Sequence, residues 1–250
     1  MHRVWPLPAG ELSSEELEEL YVYPERDAGW LAVNFVSSLD GGIEIDGKSR
    51  GLSSDADRKV FGLGHDLADV VLLASGTAVA EEYPGLRPEG ESAERRRRHD
   101  LAEVPPLAVV TSGSLPADAP SIVDVLVPTI VITCASAPAE KQQAWSDAGA
   151  EVLIAGDEEV DLADAVRQLA ERGLRRIDCE GGPGLVGKLL DADLVDEMRI
   201  SFEPTAVAGR AGRVARTDDP LDEPRGFTVD SLLVEDSTLL VRYLRRPSSA

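Results

Sequence analysis

The sequence predicts an α/β fold with a mainly parallel central sheet and a C-terminal antiparallel hairpin. Strand-like and helical segments alternate along most of the chain, an order typical of parallel sheets whose faces are covered by helices. The run ADVVLLAS at residues 68–75 is almost continuously apolar, as expected for a strand buried on both faces. Near the end, GFTVDSLLVED and STLLVRYLRR are joined by a short turn at residues 235–237, which predicts the hairpin.

The remaining elements follow in chain order. The first 28 residues are expected at the periphery, where SSEELEEL predicts a short acidic helix capped by Ser13 or Ser14. WLAVNFVSS at residues 30–38 predicts a strand because it is rich in β-branched and aromatic residues. Ser53 or Ser54 is expected to cap a helix from about 55 to 67. Further strands are predicted at 106–112, 128–135, 151–156, 175–182 and 195–204, and further helices at 138–150, 161–173 and after 184.

The length of the chain permits one domain or two small ones, but no segment in the middle resembles a linker, so we expect a single domain spanning residues 1–250. The chain has 250 residues and is 43% hydrophobic, enough for one sizeable core. No apolar run approaches the ~20 residues of a membrane span, and no secretory leader is expected. Cys134 and Cys179 lie far apart without CxxC or histidine-rich spacing. They are predicted to be buried thiols of a cytoplasmic protein, with no metal site.

The net charge of −21 argues against nucleic acid and anionic membranes as partners, because both attract basic surfaces. The one basic cluster, Arg95 to Arg98 in ERRRRHD, is expected on the solvated face of an exposed helix. A small molecule is therefore the expected partner.

The segment DCEGGPGLVGKLL, residues 178–190, combines a strand end, a glycine turn and a helix start. Pro183 suits the first helical turn, where its missing N–H has no consequence. Such a turn presents free backbone N–H groups and the positive end of the helix dipole to an anion. The sequence alone leaves two readings open, a phosphate site or a glycine-rich turn without a ligand.

Small, hydroxyl-bearing or glycine residues follow five predicted strands. Ligands of parallel α/β sheets bind beyond the carboxyl ends of the strands, so this pattern favours a nucleotide lying across that edge. Asp40 and Glu180 would converge there, either to hydrogen-bond a pyrimidine or pterin-like ring or to supply a proton. The G-x-G-x-x-G fingerprint is missing, which disfavours a standard dinucleotide fold.

Three segments resemble a known family, in the same order. They are VNFVSSLDGGIEIDGKSRGLSS, ADVVLLASGTAVAEEYPGLR and CEGGPGLVGKLLDADLVDEMRISFEP. They are similar to the reductase domain of riboflavin biosynthesis, an NADPH-dependent pyrimidine reductase related in fold to dihydrofolate reductase. The resemblance covers residues 30 to about 245. It implies a three-layer α/β/α fold, a homodimer and hydride transfer to the ring-opened imine of a ribosylamino-pyrimidine phosphate.

The resemblance also implies roles for individual residues. Asp40 and Glu180 would be catalytic, with the nicotinamide beside the loop from Ser38 to Gly41. Arg87 would pair with the ribose phosphate of the substrate. The substrate-binding residues implied are Asn34, Ser38, Ser49, His65 and Arg87. The cofactor-binding residues implied are Ser53, Gly76, Thr77, Glu81, Thr111, Ser112, Gly181, Gly182, Pro183, Gly184 and Leu185.

The sequence departs from the family pattern at three positions. Gly184 replaces a usual threonine, Gly51 a tryptophan, and His65 an arginine that binds the substrate phosphate. The zinc deaminase motifs H-x-E and PCxxC are absent. The alternatives are a dihydrofolate- or pteridine-type reductase on the same scaffold, a cofactor-binding protein without turnover, and a different dinucleotide or deazaflavin cofactor.

Overall fold

A computed structural model describes residues 1–246, and its strands form one 11-stranded sheet. The strands are β1 (His2–Trp5), β2 (Gly10–Glu11), β3 (Trp30–Ser38), β4 (Val70–Ala74), β5 (Leu107–Val110), β6 (Ile130–Thr133), β7 (Glu151–Ile154), β8 (Arg176–Cys179), β9 (Glu197–Glu203), β10 (Phe227–Glu235) and β11 (Thr238–Arg245). The α-helices are α1 (Ser14–Tyr21), α2 (Asp55–Leu67), α3 (Ser75–Ala80), α4 (Glu91–Arg98), α5 (Pro120–Val123), α6 (Ala139–Asp147), α7 (Leu162–Glu171) and α8 (Pro183–Asp191).

The strand order is β2-β1-β10-β11-β9-β3-β8-β4-β5-β6-β7. Neighbouring strands from β9 to β7 in this order pair in parallel. The other four strands pair antiparallel, with β10 and β11 forming the C-terminal hairpin. The predicted mainly parallel sheet with a terminal hairpin is confirmed. Strand β8 comes late in the chain but lies between β3 and β4, so that all three end at one edge.

Helices cover both faces of the sheet, as the three-layer prediction requires. On one face, α7 and α8 pack their apolar residues against β3, β4 and β8. On the other, α1 and α2 pack near β3, while α3, α5 and α6 pack over β4 and β5 around the fully buried Trp145. The predicted caps are also seen. Ser13 forms a capping box with Glu16, and Ser54 caps α2.

Residues 1–28 contribute both to the sheet and to its core. Strand β1 pairs with β10 at the edge, and Leu17, Tyr21 and Tyr23 are buried against α2 and the sheet. The guanidinium of Arg199 stacks 4.5 Å from the ring centroid of Tyr23. The segment expected at the periphery thus covers the face of the antiparallel strands.

The arginine cluster is only partly as expected. Arg97 and Arg98 are exposed, but the prediction of a solvated face is wrong for Arg95 and Arg96, which are buried. Arg95 bonds Glu18 and Asp66. Arg96 donates to carbonyl oxygens at the end of α2, including that of Ala68 at 2.9 Å, where cations satisfy unpaired carbonyls. Four consecutive arginines carry no apolar pattern that would reveal which pair faces inward.

Both cysteines are free and buried, as predicted. Within residues 1–246, no helix has the length and apolar character needed to cross a bilayer.

Glu197 on β9 joins three parts of the sheet. Its buried carboxylate accepts from Arg199 Nε at 2.6 Å, from Arg242 Nε on β11 at 2.6 Å and from Trp30 Nε1 on β3 at 2.9 Å. Burial opposes ionisation, but the two guanidinium groups outweigh it and lower the pKa of Glu197. A buried carboxylate with several charged donors is stable as a unit and fails when one member is removed.

We expect Glu197→Gln to lower the free energy of unfolding by about 3 to 5 kcal/mol, because it leaves two buried guanidinium groups without their counter-charge. Urea unfolding measures this. Glu171→Gln, which breaks the exposed pair with Arg167, is the control and should cause no measurable change. A loss as small as that of the control would show that Glu197 does not hold the strands together.

Candidate active site

The carboxyl ends of β3, β4, β5 and β8 bring most of the predicted residues to one edge of the sheet. The backbone links two of these ends directly, since Ala74 N donates to Gly181 O at 2.6 Å. Between β4 and β5, Ser75 Oγ lies 2.9 Å from Ser114 Oγ. Thr111 Oγ1 accepts from the backbone N–H groups of residues 113–115 and fixes the turn after β5. The hydroxyl-bearing strand ends are therefore neighbours in space.

A cleft of about 810 Å³ opens beside these strand ends. It contains four of the predicted cofactor-binding residues, namely Thr111, Ser112, Gly184 and Leu185. The other residues that line it include Ser75, Ser114, Lys188, Arg216, Glu158, Glu159, Asp191, Asp218, Asp219 and Asp222. The volume lies within the range of small-molecule sites.

The glycine turn between β8 and α8 requires residues without side chains. Gly181 has a φ of +88°, and a Cβ there would collide with the ring of Phe35. A Cβ on Gly182 would lie 2.7 Å from Thr77 Oγ1, so this turn and Thr77 are in contact. Pro183 is the first helical residue, and no side chain caps α8. A Cβ on Gly184 would meet no atom within 4 Å, which leaves the helix start open to a ligand.

The charges around the cleft are mixed. Lys188 Nζ lies 3.3 Å from Glu159, while Arg216 is exposed and its backbone N–H donates to Pro183 O at 2.9 Å. These two cations stand beside the helix start, against a rim of carboxylates. Hydroxyl donors, an uncapped helix start and two cations suit the phosphates of a dinucleotide, so the residues present fit NADPH.

Asp40 holds a loop together. Its carboxylate accepts from Ser38 Oγ at 2.6 Å, from Ala208 N at 2.7 Å and from Val207 N at 3.1 Å. These donors lower the pKa of Asp40 to about 2, because each favours the ionised form. Such a group is a poor proton donor near neutral pH, which favours the expected role of orienting the pyrimidine over that of lending the proton. Its contact with the substrate remains a prediction.

Four other predicted residues bond within the protein. Ser49 donates through N and Oγ to Glu81 at 3.0 and 3.1 Å, which joins a substrate residue to a cofactor residue. Arg87 is paired with Asp124 at 2.5 Å. Ser53 Oγ donates to Asp57 at 2.5 Å. Gly76 lies in the first turn of α3, with open space at its Cβ position.

Glu180, His65 and Tyr83 meet at the end of β8. His65 Nε2 forms an ion pair with Glu180 Oε1, and Tyr83 OH lies 3.3 Å from the same ring nitrogen. His65 was expected to bind a substrate phosphate in place of an arginine, and it faces a carboxylate instead. Asn34, predicted to bind substrate, is buried, and its Nδ2 has no partner among residues 1–246.

Sequence reasoning missed Asp178, which is fully buried on β8. Burial and the charge of Glu180 raise the pKa of Asp178 to about 7. Burial lowers the pKa of His65, but Glu180 and Asp178 outweigh it and raise that pKa to about 9. One signal was available, since Asp178 is a carboxylate within a short buried strand that otherwise carries Ile177 and Cys179.

Comparison with known proteins places this geometry in a family. Residues 29–237 match the model of the RibD C-terminal domain. The chain belongs to the RibD C-terminal domain family. The resemblance stated from the sequence is therefore confirmed, and the site just described lies at the strand ends of a RibD C-terminal domain.

Two relatives carry the same name, 2,5-diamino-6-ribosylamino-4(3H)-pyrimidinone 5′-phosphate reductase. That of Archaeoglobus fulgidus is 30% identical over 72% of this chain and 83% of its own length. That of Methanothermobacter thermautotrophicus is 29% identical over 78% of this chain and 86% of its own.

Solved structures share the fold. A pyrimidine reductase-like protein of Corynebacterium diphtheriae superposes with a TM-score of 0.77 at 18% identity, covering 92% of this chain and 99% of that protein. RibD of Acinetobacter baumannii gives a TM-score of 0.67 at 18% identity, covering 88% of this chain and 58% of that longer protein. The α/β fold class is confirmed.

The raised pKa values of Asp178 and His65 predict how stability depends on pH. Asp178 normally titrates near 3.8 and His65 near 6.5, whereas in the fold they titrate near 7 and 9. The folded state therefore binds more protons than the unfolded state across this window. Their contribution to the free energy of unfolding is full at low pH and is lost as pH rises, for Asp178 up to about 7 and for His65 up to about 9.

We expect Asp178→Val to remove the decrease in the free energy of unfolding that the deprotonation of Asp178 causes as pH rises. The variant should be more stable than the wild type at pH 8 by about 1 to 3 kcal/mol, because it removes a buried polar group without a partner. Urea unfolding from pH 4 to pH 9 measures both proteins, with the exposed Glu151→Gln as control. A variant that is less stable than the wild type at every pH would mean that the carboxyl group supports packing.

Proposed function

We propose that the protein is an NADPH-dependent reductase that converts a ribosylamino-pyrimidine phosphate to its ribitylamino product in riboflavin biosynthesis. The observation that carries the proposal is the succession of groups after β8. Glu180, the candidate catalytic carboxylate, is followed directly by the glycine turn and the open start of α8. The candidate catalytic carboxyl group and the candidate phosphate cradle thus lie next to each other. The names of the two archaeal relatives support the same reaction.

The protein supplies the binding site for the cofactor. Backbone N–H groups at the start of α8, with Lys188 and Arg216 beside them, would hold the phosphates, and Thr111 and Ser112 would face the adenosine end of the cleft. When bound, NADPH supplies the hydride. The acidic rim repels extra anions, so the selectivity for the 2′-phosphate depends on the few hydroxyl groups and cations in the cleft.

The substrate would lie beyond β3, between the Asp40 loop and Glu180. Asp40 fixes the segment around Val207 and Ala208 and leaves its negative charge at the end of β3, where amino groups of a pyrimidine would meet it. Glu180 and its partner His65 are the groups available for proton transfer. Reduction of the imine then leaves a secondary amine on the ribityl chain.

A pteridine reductase is the second candidate, and one observation favours it. Both side chains expected to bind the substrate phosphate are already engaged, Arg87 with Asp124 and His65 with Glu180. A substrate such as dihydrofolate, with no phosphate on its ring system, would need neither. The two candidates share the cofactor cleft and differ in what the Arg87 region must bind.

The chain's wider organisation is also part of the proposal. Because the described strands all belong to one sheet, we propose a single reductase domain with a small molecule as substrate. A homodimer, implied by the family resemblance, and a cytoplasmic location, inferred from the two free cysteines, stay predictions.

The direct test follows NADPH oxidation by absorbance with the ribosylamino-pyrimidine phosphate and, separately, with dihydrofolate. We expect turnover of the pyrimidine, reduced about 100-fold or more in Glu180→Gln because this variant cannot donate the proton. Turnover of dihydrofolate alone would support the second candidate. Cofactor binding without oxidation on either substrate would refute the proposed reaction and leave a binding protein.

The open position at Gly184 gives a test of the cofactor cradle. We expect Gly184→Thr to tighten NADPH binding about two- to tenfold, because its hydroxyl adds one hydrogen bond to a phosphate. Titration calorimetry measures the dissociation constant. Gly184→Ala, which adds a Cβ without a hydroxyl, is the matched control. Equal affinities in the two variants would mean that the phosphates do not contact this turn of α8.

A further inference from the structure

A carboxyl group without a partner lies in the middle of the sheet, two residues before Glu180. Asp178 is fully buried, and neither of its oxygens is hydrogen-bonded within residues 1–246. The unpartnered Nδ2 of Asn34 is close by, since a Cβ on Gly64 would lie 2.5 Å from Asp178 Oδ2 and 2.9 Å from Asn34 Nδ2. Burial of such a group opposes folding. A valine or leucine would suit this strand position better, so packing does not account for Asp178.

Asp178 belongs to a cluster with a route to solvent. One carboxylate oxygen of Asp178, one of Glu180 and a ring nitrogen of His65 all lie within 4.8 Å of one another. Asp178 has no exposed surface, whereas the side chain of His65 is 16% exposed. The cluster therefore runs from the interior of the sheet to the site edge, with Tyr83 OH beside His65.

The surrounding charged groups have other partners. Arg199 on β9 and the phenol of Tyr23 both face Asp178. Arg199 is bonded to Glu197 and to Tyr23 OH. Asp66, on the same helix as His65, is paired with Arg95. These groups set the local field around the cluster. Asp178 and His65 thus offer protons a path to Glu180 from inside the protein.

We propose that Asp178, His65 and Glu180 form a proton relay, in which Asp178 is a positioning residue that keeps one proton in reserve for the His65–Glu180 pair. The role rests on the proposed reduction. The hydride that NADPH would supply adds to the carbon of the C=N bond, and the π electrons move to nitrogen. Within the ion pair of His65 and Glu180 the proton lies on His65. This proton passes through Glu180 to the nitrogen, and Asp178 then gives its own proton to His65. Solvent then returns one proton through His65, so each turnover consumes one hydride and one proton.

The first test needs no substrate. The chain has three histidines, His2, His65 and His99, so ring resonances in NMR spectra are assignable with His65→Gln. In buffer with a chelator, we expect Asp178→Asn to lower the titration midpoint of His65 by about one pH unit, because a neighbouring negative charge is lost. The rings of His2 and of His99, which bonds Glu18 at 2.8 Å, should be unaffected. An unchanged His65 midpoint would overturn the relay.

The second test measures kcat against pH. We expect Asp178→Asn to lower kcat about tenfold and to move the alkaline limb to lower pH by the same one unit, with the KM for NADPH unchanged. A residue that only supports packing would not shift the limb. If the asparagine variant does not fold, Asp178→Val gives the same expected shift. An unshifted limb in a folded variant refutes the relay, whereas a wild type without turnover refutes only the proposed reaction and leaves the NMR result to stand.

Discussion

The placement of β8 between β3 and β4 is the constraint on which the rest of the structure depends. The crossover from β3 through α2 to β4 leaves one strand position open, and a segment about a hundred residues further along the chain fills it. Because all three strands are parallel, their ends share an edge. Glu180 and the glycine turn then lie between the Asp40 loop and the start of α3. Without this insertion the same residues would be distributed along the chain with no common site.

Two buried carboxylates of this sheet have opposite bonding environments. Glu197 receives bonds from two guanidinium groups and an indole, and it stays ionised. Asp178 lies on a nearby strand and is bonded to no guanidinium or indole group, so burial and the charge of Glu180 raise its pKa toward neutrality. The first arrangement fastens β9, β11 and β3 together. The second arrangement leaves the Asp178 carboxyl with a pKa raised to about 7. Groups with strongly shifted pKa values concentrate at functional sites.

Several basic side chains of this acidic protein have structural roles. Arg96 closes the end of α2, Arg95 bridges α1, α2 and α4, and Arg199 and Arg242 surround Glu197. Beside the cleft, Lys188 and Arg216 stand against many carboxylates. An anionic ligand is thus held by local donors against a repulsive surrounding field, which makes helix α8 and its glycine turn the main source of attraction.

Local pattern alone was enough for the main strands and helices after residue 30, the parallel sheet, the hairpin, the helix caps and the glycine turn, because periodicity, capping residues and the conformational needs of glycine act over a few neighbouring residues. It missed the short strands β1 and β2 and the four-residue helix α5. Resemblance to a family supplied the expected site. The partners of charged side chains depended on the tertiary structure. Asp40 bonds residues about 170 positions away, His65 meets Glu180 across 115 positions, and Arg96 turns inward. Electrostatic partners and burial arise only when distant segments pack together, and they decide which carboxyl group can hold a proton.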